Sequence, residues 1–350
     1  VVAEALELAE DLDVDDSMVA ELLMVSSLNC NFTNRPVEAA ANLKDALHRA
    51  ERAGATSLIA MVLNNLSDLN LTDNPKLAAA YATAAMVQAR RVGSAVLISV
   101  SSVNTACAQV LEGDWEGAAR ELDGHAEPDD IASGEVAHLH RARLAALRGE
   151  VAGSPEAIAR LTRLTTSETV MHQALLATAR ALAAAGADQA CEALAQARAA
   201  LRHVEAIGPY SDLILFASAV ASDAGKAMGD GSALEELLGA FEGHPGDDLP
   251  ALLRAELDLV RARLAGIAGD AGAGTAVSDA VAAFRRAGSP WHLARALVDQ
   301  AEHLRACGQG EAYAQALDEA QAIAYRLGAL PLARAIAGVK VEAAKIERSH

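Results

Sequence analysis

One short pattern recurs along this chain at a nearly fixed interval, and the interval limits what the chain can fold into. A Gly, Asn or Pro break followed by a residue pair and Ala occurs at NRPVEAA (34–40), DNPKLAAA (73–80), GDWEGAA (113–119) and GSPEAIA (153–159). Looser copies follow at GADQACEA (186–193), GDGSALEE (229–236), GAGTAVSD (272–279) and GQGEAYAQ (308–315). With Ala39, Ala78, Ala118 and Ala157 as register marks, the steps are 39, 40 and 39 residues. A constant step of this size marks stacked helical hairpins, each too small to bury its apolar face without its neighbours.

A second punctuation interleaves with the first. Helices after a break end at Gly54, Gly93, Gly208, Gly288 and Gly328, where Gly supplies the left-handed conformation past a helix end. Asn74-Pro75, Ser154-Pro155 and Ser289-Pro290 place a capping side chain before a Pro at the first helical position. Each unit therefore reads as helix A, break, helix B, Gly. Apolar residues are 52% of the chain but aromatics only 3%, so the apolar mass is mostly Ala and Leu. Ala is the best helix former, and strand-like alternation is missing. The expected fold is all-α: a right-handed α-α superhelix of about eight hairpins. It occupies 1–350 as one array, with a partial repeat at 1–14 and a capping or linker helix at about 330–350. EALELAEDL (4–12) reads as a helix B without its helix A, which suggests a fragment of a longer protein.

The two helices of a unit differ. Helix A of the early repeats is almost chargeless: Ser57–Leu71 carries only Asp68, and Ser94–Leu111 carries no charge. Helix B carries charge on one face, as in Asp45 and Arg49 at i,i+4. In 188–205, Ala190, Leu194, Ala197, Leu201 and Val204 form one apolar stripe. Helix A is expected inside and helix B outside.

Charge and motifs exclude several classes. A net charge of −18 disfavours direct binding to nucleic acid or an anionic membrane. Ser94–Leu111 carries too many polar residues for lipid and is expected within protein. Cys30, Cys107, Cys191 and Cys307 are widely spaced, with apolar neighbours and no CxxC pair; buried reduced thiols in the cytoplasm are expected. GDAGAGT (269–275) lacks the Lys of a phosphate loop and has no strand before it, so it reads as a loop. His138 and His140 are about 200° apart on a helix and cannot share a metal. There is no GxSxG elbow and no HExxH. No enzyme, cofactor or metal is expected. Trp115 and Trp291 open helices after breaks and are expected to pack in the joints.

Gly113-Asp114-Trp115-Glu116-Gly117-Ala118 resembles the Gly-x-aromatic-x-x-Ala joint of tetratricopeptide repeats. With the longer step, LNNL (63–66) and the RRVGS and YRLGA ends, the chain resembles the C-terminal repeat region of large bacterial regulators, the MalT-like LuxR-family activators and the ATPase-linked class III nucleotide cyclases. The resemblance implies a sensory or scaffolding superhelix attached to an ATPase and an output domain, neither of which is in this sequence. The other reading is a free-standing adaptor.

One constellation remains. Asn64 and Asn104 each lie fourteen residues before their register Ala, and Arg143 holds the equivalent place before Ala157. In repeats of this kind helix A lines the concave groove, so the row Asn64–Asn104–Arg143, with Asn65, Asp68 and Ser101 nearby, is the candidate site. It would take a protein or peptide partner, or a small effector. The competing account is that these amides bond neighbouring helices and hold the stack in register. The Lys residues of a carboxylate clamp are missing from helix A, which argues against a chaperone-tail adaptor.

Overall fold

Seven of the eight breaks fall between two helices of the computed structural model, which describes residue 4 and residues 14–33, 35–124, 131–150, 168–244, 249–270 and 272–347. The eighth, GSPEAIA with Ser154 and Ala157, lies outside the described residues, as does all of EALELAEDL but Glu4. The described helices are α1 (Asp16–Phe32), α2 (Pro36–Arg52), α3 (Thr56–Asn70), α4 (Pro75–Val92), α5 (Ala95–Glu112), α6 (Trp115–Asp123), α7 (Ile131–Arg148), α8 (Val170–Gly186) and α9 (Ala190–Leu201). They continue as α10 (Val204–Ile207), α11 (Asp212–Met228), α12 (Gly231–Gly239), α13 (Ala251–Ile267), α14 (Ala273–Ala287), α15 (Pro290–Ala306), α16 (Gly310–Leu327) and α17 (Leu330–Glu347). No strand occurs among the described residues. The fold is all-helical, built of packed neighbouring pairs, as in an α-solenoid.

Local chemistry sets these boundaries. Asn74 caps α4 by accepting from the Leu77 amide at 3.1 Å. Gly54, Gly93, Gly208, Gly288 and Gly328 all have positive φ, as their places after helix ends require. Asp188 does the same work without being Gly, at φ 58. Two expectations need correction. Ser289 does not cap α15; its hydroxyl pairs with His292 Nδ1 at 2.7 Å. The stripe through 188–205 is not one helix, since the chain turns at Arg202-His203 and resumes as α10.

The inner layer is the helix A series. α1 packs on α3, α3 on α5, α5 on α7, α7 on α8, α8 on α11 and α11 on α13. The Ala faces of these helices permit close approach, and Leu and Val fill the gaps between them. Among the described residues α5 is the one helix long and apolar enough to cross a bilayer by length and composition. In this structure it is packed among α3, α4, α6 and α7, with Ser101, Ser102, Asn104 and Thr105 buried.

The stack also touches itself across long separations. Leu252 N donates to the Thr72 carbonyl at 3.0 Å, and Thr72 Oγ1 donates to the Tyr210 carbonyl at 2.8 Å. α17 rests against α7, and Arg334 donates to the Gly186 carbonyl at 2.6 Å. The buried apolar residues form two cores. A smaller one spans α1 to α4, and a continuous one runs from Leu71 and Ala78 through to Ile336 in α17.

These closures make Gly149 the tightest of the left-handed glycines among the described residues. Gly149 has φ +75, and a Cβ there would lie 2.7 Å from Pro331 Cδ at the start of α17. Gly54 has φ +65 with nothing within 4 Å. Gly54→Ala should cost only the left-handed strain of about 1–2 kcal/mol in urea denaturation. Gly149→Ala should cost distinctly more, because α17 must also move. Equal costs would mean that the α7–α17 contact is not made in solution.

Candidate functional site

The inner helices enclose a cavity of about 350 Å³ along the seam between the two cores. Leu43 and Leu69 of the smaller core face it, as do Leu175 and Leu213 of the larger one. Its polar wall includes Asn65, Asp68, Asn104, His140 and Asp212. Of the residues singled out in the sequence, Asn65, Asp68 and Asn104 line it, whereas Asn64, Ser101 and Arg143 lie behind its wall. Asn104 donates to the Asn64 carbonyl at 3.3 Å, joining α5 to α3. Ser101 bonds the Leu97 carbonyl of its own helix.

Arg143 is buried from α7 and paired with Asp212 at the start of α11. It also donates to Cys107 Sγ at 3.5 Å and stands over the Phe216 ring at 5.0 Å. Cys107 in turn touches His140 Nδ1 at 3.4 Å. Sequence reading missed this group because its members come from α5, α7 and α11, and only the fold unites them. The ligand atoms of Cys107, His140 and Asp212 lie within 4.8 Å of one another, close enough for three ligands of one metal. Arg143 already engages two of the three, Asp212 and the Cys107 sulfur. Burial, with Asp212 nearby, pushes the Cys107 thiol well above its usual range. Burial and Arg143 push His140 down to about 3. Both groups are therefore neutral, unlike an activated thiolate–imidazolium pair, and the guanidinium already neutralises Asp212.

Asp68 is different. Burial, then the nearby Asp212, raises it to about 7. Its accessible surface opens on the cavity, and it forms no ion pair among the described residues. A carboxylate held this way is a poised acceptor for a ligand donor.

A second, larger cavity of about 630 Å³ lies among α7, α8, α11, α15 and α17. Its walls are largely apolar, and one end is a ladder of charges across α11, α13 and α15. Arg263 binds Asp299 at 2.7 Å, Ser222 at 2.5 Å and Asp223 at 2.8 Å. Arg295 binds Asp223, Glu256 and the Ala219 carbonyl, and lies 4.9 Å from the centre of the Trp291 ring. Lys226 binds Asp299 at 2.5 Å and Glu302 at 2.6 Å. Burial alone would raise Asp223, but Arg295 and Arg263 hold it well below the usual carboxylate range. The sequence did carry a trace of this ladder. Continuing the row Asn64–Asn104–Arg143 by steps of 39 to 41 residues lands on Leu182, Ser222, Arg263 and Glu302.

Trp115 is joint packing, buried with its indole N–H on the Val110 carbonyl at 3.0 Å. Trp291 is also buried, packed on Phe216 and His292, and one side of it lines the larger cavity. GDAGAGT follows helix α13, and its last three residues already belong to α14, with Ala271 outside the described residues. The thiols need correction: Cys30 and Cys107 are buried, but Cys191 and Cys307 are exposed. Among known proteins, no family model and no curated sequence matches this chain.

Two measurements follow. Native protein should expose two thiols, Cys191 and Cys307, to a thiol-titrating reagent, and all four after unfolding; four reactive thiols before unfolding would contradict the seam geometry. The second uses pH. The folded Asp68 stays protonated up to about 7, against 3.8 for an ordinary Asp, so its ionisation above pH 7 costs stability and that cost disappears on acidification. His140 acts oppositely, since the unfolded chain takes up protons through pH 6.5 while the folded chain does not until about 3. Asp68→Asn removes only the first effect. In urea denaturation the variant should gain most over the parent at pH 8.5, and the gain should shrink at pH 5.5. A pH-independent difference would place Asp68 in ordinary solvent.

Proposed function

We propose that this chain is a non-enzymatic regulatory repeat domain that senses a small effector in the seam cavity. On this reading it is one right-handed superhelix of about eight hairpins, a single array over 1–350. It would act in the cytoplasm as the sensory arm of a larger bacterial regulator of the MalT-like or cyclase-linked kind, joined to an ATPase and an output domain. The observation that carries the reading is the unpaired Asp68 in a cavity between two separate hydrophobic cores. Its packed surroundings and the nearby Asp212 disfavour its charged form, and residues that cost stability at concave sites are typically kept for binding. The position between cores supports a regulatory role, because a ligand there contacts both bodies and favours whichever arrangement closes on it. The free-standing adaptor reading needs an open inner groove for a peptide. The enclosure of Asn104 and Arg143 favours a small molecule instead.

Thermal-shift titration tests this with a panel of amino acids, sugars, polyamines, ATP, cyclic AMP and zinc. At least one non-nucleotide compound should raise Tm saturably, and Asp68→Asn should abolish that shift without lowering the unliganded Tm. Stabilisation by ATP or zinc alone, or a shift that survives Asp68→Asn, would overturn the reading.

A further inference from the structure

The larger cavity has a polarity that helix packing does not require. A buried ion pair holds helices together no better than apolar side chains of the same volume, yet α11, α13 and α15 meet through charges at a cavity wall. Hydrogen-bond capacity indicates what that wall still lacks. Arg263 uses Nε, Nη1 and Nη2 on Asp299, Ser222 and Asp223. Arg295 uses all three of its nitrogens on Asp223, Glu256 and Ala219. Every guanidinium nitrogen is thus engaged, and only single N–H donors remain, on Arg263 Nη1 and Nη2 and on Arg295 Nη1. Lys226 holds Asp299 and Glu302 with two of its three protons.

The unfilled capacity is mostly acceptor. Glu302 Oε1 receives no hydrogen bond among the described residues, and Asp223 Oδ2 receives one, from Arg295. Three cations, Lys226, Arg263 and Arg295, face four carboxylates, Asp223, Glu256, Asp299 and Glu302, which leaves one negative charge unbalanced. Asp188 adds another carboxylate to the lining. Beyond this end the walls are apolar, with Leu147, Leu182, Val298 and Leu332 among them.

We propose that this cavity binds an organic cation, a single ammonium group on an apolar body, with the ammonium against Glu302 and Asp223 and the body along the Leu147–Leu332 wall. A volume of about 630 Å³ suits a ligand of this class and not a bare ion, which would leave the apolar wall wet. The net charge of −18 draws cations toward the protein. The site shares no lining residue with the seam cavity, so it does not depend on the reading given to that cavity.

Calorimetric titration of the full chain with octylammonium, octanoate and 1-octanol at pH 7.5 tests the proposal. Octylammonium should bind saturably at one site, with octanoate and octanol at least about tenfold weaker. Glu302→Gln removes the main free acceptor and should weaken octylammonium about tenfold. Ala227→Leu fills the cavity from an exposed position on its wall, should weaken binding similarly, and keeps the test valid if the Glu302 variant is unstable. Asp68→Asn should leave octylammonium affinity unchanged. Octanoate binding as tightly as octylammonium would mean that Lys226 governs the site and would overturn the proposal. So would the absence of binding, or affinity insensitive to both cavity variants.

Discussion

Each arginine buried in this fold is answered by a carboxylate on another helix, and the register of the stack depends on that constraint. Arg143 on α7 is answered by Asp212 on α11, Arg263 on α13 by Asp299 on α15, and Arg295 on α15 by Glu256 on α13 and Asp223 on α11. Removing one member of such a pair typically costs about 3–5 kcal/mol, because the survivor stays buried and unpaired. Ala-rich faces allow many helix offsets with little change in contact. The ion pairs select one offset, since a slip by one residue would turn each charge about 100° away from its partner. Apolar packing gives this stack its cohesion, and the charges give it its register.

That division explains what could be read from the sequence. The breaks, the left-handed glycines and the joint role of Trp115 are local, each set by residues a few positions apart, and they are visible in the one-dimensional pattern. The partners of Arg143 are not local. Asp212 lies 69 residues away and His140 acquires its neutral, thiol-contacting state only because α5 lies beside α7. A repeat step indicates which face of a helix turns inward, but not which neighbour meets it across the axis. Exposure of single cysteines was opaque for a related reason. Cys191 and Cys307 sit among Ala and Gly, whose small side chains look alike on the inner and outer faces. The Asn row was legible as a row, yet its division into wall residues and residues behind the wall depends on how tightly the stack curls.

The two cavities use the inner surface in opposite ways. The seam cavity separates two apolar cores and offers one poorly ionised carboxylate. The larger cavity lies along the continuous core and offers acceptors whose negative charge is fixed by neighbouring guanidinium groups. A ligand in the first contacts both cores and can bias how they sit, whereas a ligand in the second sits beside α17 and tightens the end of the array.

The contacts that return across the stack also change how such a chain acquires its structure. In an open solenoid each unit touches only the next, so order can start anywhere and spread one unit at a time, with stability close to a sum of neighbour terms. Here Ala251 donates to Asp73 across 178 residues, and Arg334 reaches Gly186 across 148. Such bonds form only after the intervening helices are in place, which raises the mean sequence separation of contacts and slows folding relative to purely local stacking. They also bind the ends of the process together. Loss of α17 removes a closing contact from α7 and α8 as well as the last rung, so unfolding at the C-terminal end is transmitted to the middle of the chain.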